Sequence, residues 1–234
     1  MISSRILPFG CILALAGILF SPSAPPPLPT GEFGISVGGN VETMDDLSGD
    51  NLNGGSTTAS FDSPVGFNVG ITYDQPILEN SIPGGLSVRP GLVASRAGTS
   101  SFPRTIEGAG SGVLQNEEFS LWLIEVPVDF RYRLPVDVDP VSIYGLVGPQ
   151  ISVPRAENDF ESTMEEVILS ANFGAGVEVD LPANLTLMPE LRYELGVTDA
   201  FQDDFTYRFR KFSVQDVPNT GAFNLRVHLT YDLL

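Results

Sequence analysis

A single histidine, His228, is the first candidate for acid–base chemistry, because imidazole is the side chain whose ordinary titration falls near neutral pH. Catalytic use would require a nucleophile within hydrogen-bond reach. On an extended strand His228 shares its face with Arg226 and Thr230, and no serine stands two residues away. An interior hydrogen-bonded histidine is therefore the expectation, and no enzyme activity is assigned. One histidine and one cysteine, Cys11 near the N-terminus, cannot assemble a transition-metal cluster. No metal or other cofactor is called for. The remaining chemistry lies in charges that recur at alternate positions: Arg89; Glu125, Asp129, Arg131 and Arg133; Glu178 and Asp180; Glu190, Arg192 and Glu194; Arg226 with His228. The two signs are nearly balanced. Enclosed charges must pair, so the set reads as a salt-bridge network, and a proton or ion path is the sharper alternative.

Alternation of this kind belongs to strands. Period two recurs in eight segments. Phe33, Ile35 and Val37 alternate against Gly34, Ser36, Gly38 and Asn40. Val65 to Asp74 follows the same rule, as do the segments around 86–96, 122–133, 141–153, 167–180, 185–195 and 223–233. The fifth is the least regular, because Tyr144 and Leu146 fall on its less apolar face. Segments of about 10 residues suit strands that cross a bilayer at a tilt. Connections alternate too. Long ones cover 42–63, 98–117, 154–166 and 198–219, and shorter ones cover 74–85, 135–140 and 182–184. Short turns at one end and long loops at the other characterise outer-membrane barrels. The prediction is an all-β, eight-stranded, antiparallel up-and-down transmembrane β-barrel with its apolar face toward lipid. Aromatic residues near strand ends (Phe33, Tyr73, Trp122, Tyr132, Tyr193, Phe223, Tyr231) would form interface girdles. Prolines 90, 127, 149 and 189 fall inside strands, where bulges or shifted registers are expected.

Residues 1–24 read as a secretory signal: Arg5, an apolar run from Ile6 to Phe20, then small residues at Ser21, Ser23 and Ala24. Residues 25–31 form a Pro-rich linker and 32–234 the barrel. Loss of Arg5 with the signal takes the net charge from −17 to −18. One lysine, Lys211, among so many carboxylates argues against nucleic-acid binding.

The loops carry a second set of candidates. Glu42, Asp45, Asp46 and Asp50, then Glu157, Asp159, Glu161, Glu165 and Glu166, are acidic. They could meet divalent cations, although no EF-hand spacing is present. Phe205, Tyr207, Arg208, Phe209 and Arg210 mix aromatic and basic character. They suit an extension of strands seven and eight, or contact with lipid headgroups or another envelope protein.

Strands four to seven resemble the PorT-like family of outer-membrane β-barrel proteins. The residues concerned are Leu123-Ile124-Glu125-Val126-Pro127-Val128 leading into Phe130-Arg131-Tyr132-Arg133, and Tyr144-Gly145-Leu146-Val147-Gly148-Pro149. Phe173-Gly174-Ala175-Gly176-Val177-Glu178 and Pro189-Glu190-Leu191-Arg192-Tyr193-Glu194-Leu195-Gly196 complete the set. The resemblance implies a fold and a location, and no reaction. The expectation is a small barrel in the bacterial outer membrane, surrounded by its lipid, with both termini periplasmic. A side-chain-filled lumen would leave it a structural or loop-mediated role in the envelope. A narrow channel for ions or small solutes is one alternative. A soluble lipocalin-like barrel binding an apolar ligand is the other.

Overall fold

A computed structural model describes residues 31–44, 47–50, 56–59, 65–78, 83–106, 113–138, 140–156, 164–198, 204–207, 210–213 and 220–233. The signal and nearly all of the linker lie outside these residues, as do Asp45, Asp46, Glu157, Asp159, Glu161, Arg208 and Phe209. The strands are β1 (Glu32–Met44), β2 (Leu47–Asp50), β3 (Ser56–Ala59), β4 (Val65–Leu78), β5 (Leu86–Ile106) and β6 (Val113–Val138). They continue as β7 (Val141–Ala156), β8 (Ile168–Leu181), β9 (Leu185–Gly196), β10 (Asp204–Tyr207), β11 (Arg210–Ser213) and β12 (Thr220–Asp232).

Eight of them close a barrel in the order β1-β12-β9-β8-β7-β6-β5-β4, with every pair antiparallel. Each barrel strand pairs with its neighbours along the chain, and the last pairs with the first, which is the up-and-down arrangement. The strand directions gather the ends near residues 32 and 232 with the turns after β4, β6 and β8 at one mouth, here called proximal. The opposite, distal mouth carries the connections after β1, β5, β7 and β9.

Two connections differ from expectation. Much of the stretch 98–117 is strand: β5 and β6 continue in register from Thr99↔Ser120 to Ile106↔Val113, so the hairpin projects as an arm beyond the barrel. In the fourth connection β10 and β11 form their own hairpin, Phe205 opposite Phe212 and Tyr207 opposite Arg210, instead of extending β9 and β12. A short hairpin of β2 with β3 occupies the first connection.

The burial pattern is inverted relative to a soluble barrel. Among the described residues, polar and charged side chains dominate the buried set, whereas Ile35, Val37, Val69, Leu191 and Leu225 are each at least half exposed. A lipocalin-like barrel needs the opposite arrangement, so that alternative fails. Aromatic residues form two belts in the ladder. Tyr73, Phe33 and Tyr231 are consecutive across β4, β1 and β12, and Phe223, Tyr193 and Phe173 across β12, β9 and β8. Phe223 packs on Tyr193 with ring centroids 4.8 Å apart. From Phe223 to Tyr231 the strand runs about 26 Å along its own axis; at the tilt of about 35–45° usual in such barrels this spans about 20 Å along the membrane normal, within the apolar band of about 25 Å.

Prolines 90, 127, 149 and 189 do not bulge. Pairing lapses for two residues beside each one and resumes in the same register: β4 against Pro90, β5 against Pro127, β6 against Pro149 and β8 against Pro189. A missing N–H costs a local ladder bond, but strong pairing on both sides fixes the register. Register shifts occur elsewhere, at Pro76/Leu78, Ala97/Thr99 and Arg133/Asp137.

At the proximal mouth Gly84 has φ +87°, and a Cβ there would stand 1.9 Å from the Arg133 carbonyl oxygen. Gly85 accepts a hydrogen bond from the Arg133 N–H at 3.1 Å, which fixes that close approach. Gly84→Ala is therefore expected to lower stability by about 1–3 kcal/mol, read as a reduced urea midpoint of the folded barrel.

Candidate functional site: the charged lumen

The inward parity of each strand delivers the polar face to the axis, and the large side chains meet there in three tiers. In the proximal tier Arg131 of β6 reaches Asp74 of β4 at 2.9 Å and pairs with Glu178 of β8. Its Nε donates to Ser87 Oγ at 3.3 Å, and its guanidinium lies 5.0 Å from the Tyr144 ring centroid. Tyr144 and Leu146 join Met188 in a small apolar core inside the lumen, which explains the irregular pattern of β7.

The middle tier centres on Glu190. It pairs with Arg89 and with Arg192, and accepts a hydrogen bond from the Tyr144 hydroxyl at 2.9 Å. Arg192 also clamps Asp129 through two nitrogens, at 2.5 Å and 3.3 Å. In the distal tier Arg226 of β12 donates to Glu125 of β6 at 2.9 Å. Ser170 Oγ donates to Glu194 at 2.7 Å, and Asn172 to Gln150 at 3.0 Å.

The placement of two pairs decides what the lumen can do. In the ring of eight strands, β5 stands four places from β9 and β12 four places from β6. Arg89–Glu190 and Arg226–Glu125 therefore bridge the full diameter. Side chains in direct contact across the axis cross the lumen at two levels, and guanidinium–carboxylate pairing offsets the cost of removing these charges from water.

Most of the charges named from sequence meet here: Arg89, Glu125, Asp129, Arg131, Glu178, Glu190, Arg192, Arg226 and His228 are all buried. Two are corrected. Arg133 has a side chain 44% exposed and pairs with Glu178 from the rim, Nε to Oε2 at 2.7 Å. Asp180 is exposed and accepts from Thr186 at 3.4 Å. Both lie near the proximal ends of their strands, where inward parity opens onto solvent. Glu194 is only partly buried and faces the distal mouth. The backbones of Phe205, Tyr207 and Arg210 lie in the β10–β11 hairpin.

Sequence reading missed three contributors. Asp74 has the parity of its inward neighbours Asn68, Gly70 and Thr72, a signal that alternation already carries. Glu42 was expected in a loop, yet β1 runs on to Met44 and turns it inward, 7% exposed. Ser36 lies directly across the ladder from His228, a neighbour no spacing rule on one strand can find. Glu190 Oε1 stands 3.6 Å from His228 Nε2. The three residue types match a hydrolase triad, but Ser36 Oγ and both imidazole nitrogens have no hydrogen-bond partner. Both residues are 1% exposed.

The chain matches the profile of a family described as "Outer membrane protein beta-barrel domain" over residues 11–229. That match is to the domain family as a whole and does not single out the PorT-like branch. No curated protein matches the chain. Among solved structures it is similar to Neisserial surface protein A (NspA), at 16% identity over 86% of this chain and 97% of that one, TM-score 0.42. It is also similar to the outer membrane protein AlkL, at 14% identity over 92% and 95%, TM-score 0.47. The outer membrane enzyme PagL is similar at 11% identity over 81% and 97%, TM-score 0.39.

Proposed function

Since the chain belongs to the outer membrane protein beta-barrel domain family, we propose that it is a closed envelope barrel whose lumen is a salt-bridged plug and whose working surface is its distal end. The diametric pairs Arg89–Glu190 and Arg226–Glu125 carry this reading. Eight strands give an interior just wide enough for side chains to fill, and here they meet across it. With the passage blocked, contact with other envelope components falls to the distal connections and the β5–β6 arm. The short proximal turns support a periplasmic mouth, with both termini in the periplasm and the arm outside in this reading. A catalytic role is not part of the proposal, because the one imidazole is enclosed with its neighbours in the lumen.

The test is planar-bilayer recording of the purified barrel. The expected result is no stable conductance beyond that of small ions, and large stable channels would overturn the plug. A second reading, a narrow proton path, is favoured by one observation. Ser36 Oγ, Thr72 Oγ1, two nitrogens of Arg89 and both nitrogens of His228 lack hydrogen-bond partners. They gather on β12, β1, β4 and β5, and buried groups of this kind are commonly bridged by internal water. A pH-gradient-driven proton flux in vesicles, abolished by His228→Phe, would support that path over the inert plug.

A further inference from the structure

At the distal mouth a pocket of about 40 Å³ is lined by Asn40, Glu42, Glu125, Glu194, Met164 and Ala222, among others. Its acidic character follows from register. Glu42, Ala222 and Glu194 stand side by side across β1, β12 and β9, so two inward carboxylates flank the smallest possible apolar side chain. Ala222 leaves the gap between them, and Glu125 closes the floor from β6. Arg226 neutralises one of the three carboxylates through its contact with Glu125. Asn40, 2% exposed, also lines the pocket. Its Nδ2 donates to Glu42 at 3.2 Å and to Ser95 at 3.4 Å, whereas its Oδ1 has no donor. Leu121, Met164 and Ile168 supply an apolar wall beside these acceptors.

We propose that this pocket binds a primary alkylammonium group, its N–H donors shared among Glu42, Glu194 and Asn40 Oδ1 and its alkyl stem lying along Met164 and Ile168. A pocket rich in acceptors, with an acceptor left over and one compensating cation, calls for a donor that carries positive charge. A metal ion fits less well. Metal–oxygen bonds of about 2.0–2.6 Å demand tightly converging carboxylates, and among the described residues no group of three acidic or histidine side chains is close enough to hold one. An ammonium works at longer N···O distances near 2.8 Å. The enclosed part of the pocket is the size of an ammonium head. The proposal goes beyond the closed-barrel reading and does not depend on it, since the pocket opens at the mouth outside the diametric pairs.

Titration of the folded, detergent-solubilised barrel with n-butylammonium chloride tests this, followed through the Met164 methyl resonance. Nα-acetyl-lysine methylamide is run in parallel. A saturable shift is expected with butylammonium, at least tenfold weaker in Glu42→Gln and lost in Ala222→Leu, which fills the gap. Comparable binding of the lysine derivative identifies the source as a peptide side chain, and its exclusion identifies a free amine; both outcomes support the site. Heat-modifiable gel mobility checks that each variant is folded. If Glu42→Gln does not fold, Ala222→Leu and the wild-type titration still decide. The proposal is overturned by a non-saturable shift, by equal binding in the variants, or by displacement of the amine by equimolar Ca²⁺.

Discussion

Replacing Glu190 with alanine is expected to lower the unfolding free energy by about 3–5 kcal/mol, the range for breaking a buried pair by removing one partner. Arg89 spans the barrel to reach this carboxylate, Arg192 bonds it from its own strand, and Tyr144 donates to it. Alanine leaves Arg89 with Asp129 at 3.6 Å as its remaining ion-pair contact and two of its nitrogens still without partners. Urea titration of the barrel in lipid vesicles gives the number. The double variant Arg89→Ala/Glu190→Ala should lose less than the sum of the single losses, by about 0.5–3 kcal/mol, as residues in one network do. Additive losses would mean that the two side chains do not act as a pair, and a loss below about 1 kcal/mol for Glu190→Ala would mean that water already reaches this tier.

The second large effect is on the outer face. Leu225 is 59% exposed, near the middle of β12. On a water-facing surface, exchange of an exposed leucine for arginine stays within about 0.5 kcal/mol. On a lipid face at midplane the same change costs about 2–4 kcal/mol, falling to about 0–1 kcal/mol near the interface. Leu225→Arg is therefore expected to fall in the higher range and Tyr231→Arg, in the proximal aromatic belt, in the lower. The contrast between the two positions is the informative quantity. Equal, small losses at both would remove Leu225 from the hydrocarbon zone.

The barrel itself is legible in the sequence because a period of two is a geometric consequence of extended backbone, and because one face has to satisfy lipid. Eight alternating runs, with connections differing in length at the two ends, leave little freedom in topology. The face of each lumen charge follows from the same parity, so alternation alone places Glu125, Asp129 and Arg131 inward. Depth is harder. Parity says which side Arg133 and Asp180 lie on but not where the strand leaves the barrel, and both lie at the rim. The length of β1 is equally hidden: Met44 follows a stretch of mixed polarity, and Glu42 looks like a loop residue until the pairing with Ala222 is known. Partnerships across the ring are not readable at all. Arg89 and Glu190 are separated by 101 residues, and their meeting depends on four intervening registers. The prolines show the opposite limit, since a local rule predicts shifts that pairing on both sides overrides.

The diametric pairs also bear on how the chain must be assembled. Arg89–Glu190 and Arg226–Glu125 each join residues 101 apart in sequence, and the second needs β12, the last of the barrel's eight strands in chain order. Until that strand docks against β1, Glu125 has no cation on the opposite wall. A nascent half-barrel would expose unneutralised charge along an unpaired edge, in surroundings that penalise both. Contacts so distant in sequence close late and slowly. Insertion should therefore be all-or-none: a chain truncated before β12 would not persist as a smaller barrel and would be left to degradation, so the C-terminal strand acts as the commitment step of biogenesis.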